Sequence, residues 1–129
     1  MQTTWVAAGA LALVTGLAHS VLGEILIFRH LRKGGLVPSM GAPPLRERHI
    51  RILWATWHLA TVFACAFGGV FLRLAVAPND SPGALIVGAA VFAYLAGSLL
   101  VLIGTKGRHP GWIALLVVAA LIWFGAGVA

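Results

Sequence analysis

Four stretches of almost uninterrupted apolar sequence, at about residues 4–28, 52–77, 82–104 and 111–128, dominate this chain. Each approaches or exceeds the roughly 20 residues that carry a helix across a hydrocarbon core about 30 Å thick. Within such a core every backbone polar group needs a partner from its own segment, so the stretches read as helices. A soluble fold fails on area. Of 129 residues 60% are hydrophobic and 9% charged, with a mean hydropathy of +0.99, whereas a small soluble domain buries only about 60–70% of its chain surface. We expect one membrane domain over 1–129, an all-α bundle of four transmembrane helices.

The punctuation between the stretches supports these boundaries. Gly34-Gly35 and then Pro38, Gly41, Pro43 and Pro44 deny the first connection a continuous helix. The second helix is expected to start near Leu45, with an amphipathic first part at the headgroups and its membrane portion from about Ile52. Pro78-Asn79-Asp80-Ser81-Pro82-Gly83 reads as a tight turn in which Ser81 caps the third helix and Pro82 takes its first position. Thr105 to Gly111 is a short basic turn.

The net charge of +6 is unevenly spread. Arg29, Arg32, Lys33, Arg46, Arg48 and Arg51 belong to the first connection, about 29–51, and Lys106 and Arg108 to the third, while the second has Asp80 with Arg73 nearby. This is the positive-inside pattern. It places the basic connections in the cytoplasm and both termini on the periplasmic side of a bacterial inner membrane, and it accounts for the charge without nucleic acid. The tryptophans, Trp5, Trp54, Trp57, Trp112 and Trp123, fall mostly near helix ends, where they anchor at the interface. The first residues lack the positive start of a secretory signal, so the first helix is expected to be retained. The single cysteine, Cys65, excludes a disulfide framework within one chain and reads as a small buried hydrophobe. Gly9, Ala12, Gly16, Ser20 and Gly23, spaced by three or four, form a stripe that admits a second helix backbone at close range.

Ionisable groups at membrane depth are costly and mark candidate sites. The chain has His19, Glu24 and His58 there, with His109 at the boundary. If the first two helices form a hairpin about the first connection, facing residues have numbers summing to about 77. His19 then lies level with His58, and Glu24 with Leu53, between Arg51 and Trp54. His109 enters from the same side, so the four are expected to converge in the cytoplasmic half. The five-residue spacing of His19 and Glu24 turns them about 140° apart, which makes a His19–His58 pairing easier than His19–Glu24.

Three readings follow. In the structural one, both histidines are neutral and bonded to hydroxyls and carbonyls, and Glu24 pairs with Arg51 or Arg29. In the cofactor reading, His19 and His58 ligate a b-type haem with Arg29 and Arg51 at its propionates, or His19, Glu24, His58 and His109 surround a transition metal. In the third, the Glu and His chain moves protons within an oligomer. Tyr94 and Ser98, i and i+4 on the third helix, are expected to bond across helices. P-loop, GxGxxG, HExxH and GxSxG motifs are absent from the sequence, and it holds only three acidic residues. A stand-alone enzyme therefore ranks last.

The strings His19-Ser20-Val21-Leu22-Gly23-Glu24, Trp57-His58-Leu59-Ala60-Thr61 and His109-Pro110-Gly111-Trp112 together resemble a group of small, uncharacterised bacterial four-helix inner-membrane proteins with an HSxLGE, WHLxT and HPxW pattern. The resemblance covers nearly the whole chain and implies the fold but no activity. Size and helix number are also similar to fluoride channels and small multidrug exporters, without a matching motif. The expected function is an accessory or cofactor-binding subunit, with haem or a metal, of a larger membrane complex or of an oligomer of this chain. The alternative is an oligomeric proton-coupled transporter or channel.

Overall fold

The computed structural model describes residues 2–127. It contains four α-helices, α1 (Gln2–Leu26), α2 (Glu47–Val76), α3 (Pro82–Thr105) and α4 (Gly111–Gly125), with one turn of 3-10 helix at Phe28–Leu31. At 1.5 Å per residue the helices are about 37, 45, 36 and 22 Å long. Three are long and apolar enough to cross a membrane, and α4 is apolar but shorter. The chain is thus a multi-pass membrane protein whose outward apolar side chains, such as Leu11, Val14, Leu17 and Val21 on α1, face lipid.

The helix ends differ from expectation by a few residues, α1 ending at Leu26 rather than Phe28, and two of the differences have local reasons. Pro43 and Pro44 lack N–H groups, Leu45 N–H is bonded to Ala42 O at 2.7 Å, and Arg46 is extended, so α2 begins at Glu47 rather than Leu45. The fourth helix, expected to reach Val128, ends at Gly125 because Gly127 turns to a positive φ of 69° and its N–H closes on Phe124 O at 3.2 Å. Val128 lies outside the described residues. The α3 start is as expected: Ser81 Oγ accepts from Ala84 N–H at 3.4 Å with Pro82 following.

The helices pack as an antiparallel row, each on its sequence neighbour: α1 on α2, α2 on α3, α3 on α4. The α1–α2 contact rests on the small-residue stripe. Gly9, Gly16 and Gly23 are buried seven residues apart, and a Cβ on Gly16 would sit 2.6 Å from Ala64 Cβ. The core, Phe28, Trp54, Ala55 and Val101 with Trp57, Trp112 and Leu115 around it, lies at the end of the row that carries the basic connections. There the 3-10 turn folds the chain back over α1, burying Phe28 against Trp57 and His58.

Candidate functional site

One hydrogen-bonded chain of side chains links α1 and α2 at that end. Glu24, in the last turn of α1, accepts at Oε1 from Trp54 Nε1 (2.6 Å) and contacts His58 Nε2 (2.9 Å); its Oε2 pairs with Arg32. The other imidazole nitrogen, His58 Nδ1, is 2.7 Å from Ser20 Oγ, which is 2.6 Å from Thr61 Oγ1, which donates to Gly16 O at 2.7 Å. The rotation explains the set. Ser20 is four residues from Glu24, and Thr61 three from His58, so each pair shares a helix face. Gly16 has no Cβ, which lets Thr61 reach its carbonyl.

Counting donors orders the bonds from Gly16 to His58 Nδ1. A carbonyl only accepts, so the Thr61 hydroxyl proton is committed to Gly16 O. Thr61 can then only accept from Ser20, which commits the Ser20 proton. Ser20 can then only accept from His58, so Nδ1 carries a proton. The remaining contact, Nε2 to Glu24 Oε1, holds one further proton, either as imidazolium donating to carboxylate or as carboxylic acid donating to imidazole. Glu24 and His58 are therefore joined by one hydrogen bond, with Arg32 as the neighbouring counter-charge. Arg32 Nε is itself buried without an acceptor among the described residues. An unsatisfied buried donor of this kind costs about 1–3 kcal/mol.

The expected convergence is only partly realised. His58 and Glu24 meet. His19, at the anticipated level, stacks its ring on Trp57 instead (centroids 4.3 Å apart, planes 9°), while the Trp57 indole donates to His19 O at 3.0 Å. His109 sits exposed in the α3–α4 turn and accepts from Gly111 N–H at 3.0 Å. Among the described residues no three His, Cys, Asp or Glu side chains are grouped as a metal would need.

The arginines assigned to Glu24 or to propionates lie elsewhere. Arg29 is exposed and donates to His30 Nε2. Arg51 is buried between α2 and α3, donating to Glu47 Oε1 (2.7 Å) and Gly104 O (3.1 Å). At its level α1 has already ended, while the last turn of α3 still offers unpaired carbonyls. Arg32, carried back by the 3-10 turn, takes the place at Glu24. Sequence reasoning gave no role at the site to Arg32, the indole of Trp54 or the hydroxyl of Ser20. The i+4 spacing of Ser20 and Glu24 was the available signal for Ser20; no helical spacing predicts Arg32, which arrives through a turn.

Tyr94 packs edge-on against Phe63, with centroids 6.2 Å apart, and Ser98 donates to Trp112 O at 2.7 Å, joining α3 to α4. No protein-family model, curated protein or solved structure matches this chain.

Proposed function

We propose that this chain is a proton-responsive subunit of a larger inner-membrane assembly, built from its own copies or other proteins, with Glu24 and His58 as the proton-binding pair. The observation that carries the reading is the donor count: the Gly16–Thr61–Ser20 chain commits Nδ1 to donating, so one dissociable proton is left between His58 Nε2 and Glu24 Oε1. Such groups are costly at membrane depth, which marks them as candidates for a function there. The chain of bonds ends on a carbonyl, which cannot pass a proton onward. That favours proton binding by a subunit over conduction through a single copy.

The test is a pH jump on the full chain in bilayers, followed by infrared difference spectroscopy. Beside the signals of the other titrating side chains, a carboxyl or imidazole signal is expected that is absent in both Glu24→Gln and His58→Gln. A difference spectrum unchanged by either substitution sinks the reading. Proton flux through liposomes holding this chain alone, lost in Glu24→Gln, would instead make it the oligomeric transporter or channel.

A second reading keeps a cofactor, now at His19 alone. Its ring makes no hydrogen bond among the described residues and lines an apolar cleft of about 480 Å³ with Phe28, Leu31, Leu45, Ile50 and Leu53. A flat apolar group held by His19 would give the purified protein a visible absorption band that His19→Ala removes. A colourless protein without bound metal excludes it.

A further inference from the structure

Five of the nine basic side chains of the sequence line one cleft. Arg46 and Arg48 at the start of α2, Arg51 one turn on, and Lys106 and Arg108 beyond the end of α3 surround a space of about 300 Å³, with Glu47 as the one acidic group in its wall. The positive-inside pattern asks for basic residues in a connection but not for their convergence. Here the convergence is built by the fold. Lys106 (φ 54°) and Gly107 (φ 72°) are both left-handed and turn the chain sharply out of α3. Arg51, 8% exposed, ties α2 to the α3 terminus through Gly104 O.

The sequence cannot neutralise this cluster from within. It has three acidic side chains. Glu24 is occupied by Arg32, His58 and Trp54, and Asp80 pairs with Arg73 in the α2–α3 turn, away from this end. Only Glu47 remains, bonded to Arg51. On the exposed first turn of α2, ahead of the apolar span, its carboxyl is held below the usual carboxylate range. The hydrogen bond from Arg51 is the main cause, burial opposes it, and the charges of Arg51, Lys106 and Arg108 add. The fields of the two elements therefore overlap in the cleft. Four net positive charges around one small space attract an anion from outside the chain.

We infer that this cleft binds a phosphate group, supplied either by the headgroup of an anionic lipid or by a soluble phosphate. Arginine forks match phosphate oxygens in pairs, and four of the five cations are arginines. The cleft sits where α2 leaves its polar first turns for its apolar span, the level at which headgroup phosphates lie. The inference is independent of the Glu24–His58 reading.

The test uses the purified full chain in uncharged detergent, titrated separately with short-chain phosphatidylglycerol and with inorganic phosphate, and read by native mass spectrometry and intrinsic tryptophan fluorescence. The test variant is Arg48→Gln with Arg108→Gln; the control is Arg29→Gln with Lys33→Gln. All four side chains are at least partly exposed, so the fold tolerates both, and both remove the same charge. At about five-fold for each basic side chain removed, the test pair should weaken binding about 25-fold, and the control less than about three-fold. Phosphatidylglycerol binding without inorganic phosphate binding assigns the site to lipid; inorganic phosphate binding assigns it to a soluble ligand. Equal weakening in the two double variants, or binding of neither probe, overturns the inference.

Discussion

At the scale of residues, the site depends on which group donates to which between Gly16 and Glu24. Glu24 answers two N–H donors, from Arg32 and Trp54, and shares one further hydrogen bond with His58, while Ser20 meets the other ring nitrogen of His58. Glu24→Ala strands a guanidinium, an indole and an imidazole together; the contact with Arg32 is part-buried, so the loss is put at about 3 kcal/mol, the lower end for buried ion pairs. Ser20→Ala removes one acceptor and one donor, for about 1–3 kcal/mol. We predict that order of destabilisation in thermal unfolding of the full chain in detergent. Equal or negligible effects would show that the chain of bonds is not formed. The double variant Glu24→Leu with His58→Leu should be less destabilised than Glu24→Ala alone, because no polar partner is then stranded where His58 met Glu24.

At the scale of elements, the polar chain depends on how closely α1 and α2 approach. The spacing of small residues in α1 was legible from sequence, and the buried members Gly9, Gly16 and Gly23 recur every seven residues along the face that meets α2. The level of His58 was legible too, because antiparallel helices fix depth once the connection is placed. Rotation was not. His19 and His58 share a level, yet Trp57 takes the His19 ring, since the partner of each side chain depends on a few tens of degrees about the helix axis that sequence spacing across two helices does not set. Arg51 illustrates the same limit. All four carbonyls of the last turn of α3 find donors, from Gly107 N, Lys106 N, Arg51 Nη1 and Arg108 N, and this demand draws Arg51 away from Glu24. Gly16→Ile should separate the helices, since overpacking here costs about 1–3 kcal/mol. It should also break the Thr61 bond, so destabilisation and disappearance of the Glu24–His58 signal should come together. A stable Gly16→Ile protein would argue against the close approach.

At the scale of the molecule, four apolar helices in sequence order are what hydropathy predicts, and the structure has them as a row. The exception is α4, whose 15 residues span about 22 Å, less than a hydrocarbon core. The turn at Gly125–Gly127 ends it early, which hydropathy alone did not reveal. The charge asymmetry sets the expected orientation. In a Cys65→Ala background, Leu36→Cys should react with an impermeant maleimide only from the cytoplasmic side and Asn79→Cys only from the outside. Both side chains lie in exposed connections. The reverse pattern would invert the topology and move the proton-sharing pair and the basic cleft to the other face of the membrane.

The most direct test of proton sharing between Glu24 and His58 is the ring nitrogen spectrum of His58 in the full chain, labelled with 15N-histidine and held in bilayers at pH 7. The other histidines are assigned by single substitution. We predict a protonated Nδ1 that loses its hydrogen-bond shift in Ser20→Ala, and an Nε2 whose signal moves in Glu24→Gln. An unprotonated Nδ1, accepting from Ser20 in the ordinary Nε2–H tautomer, contradicts it.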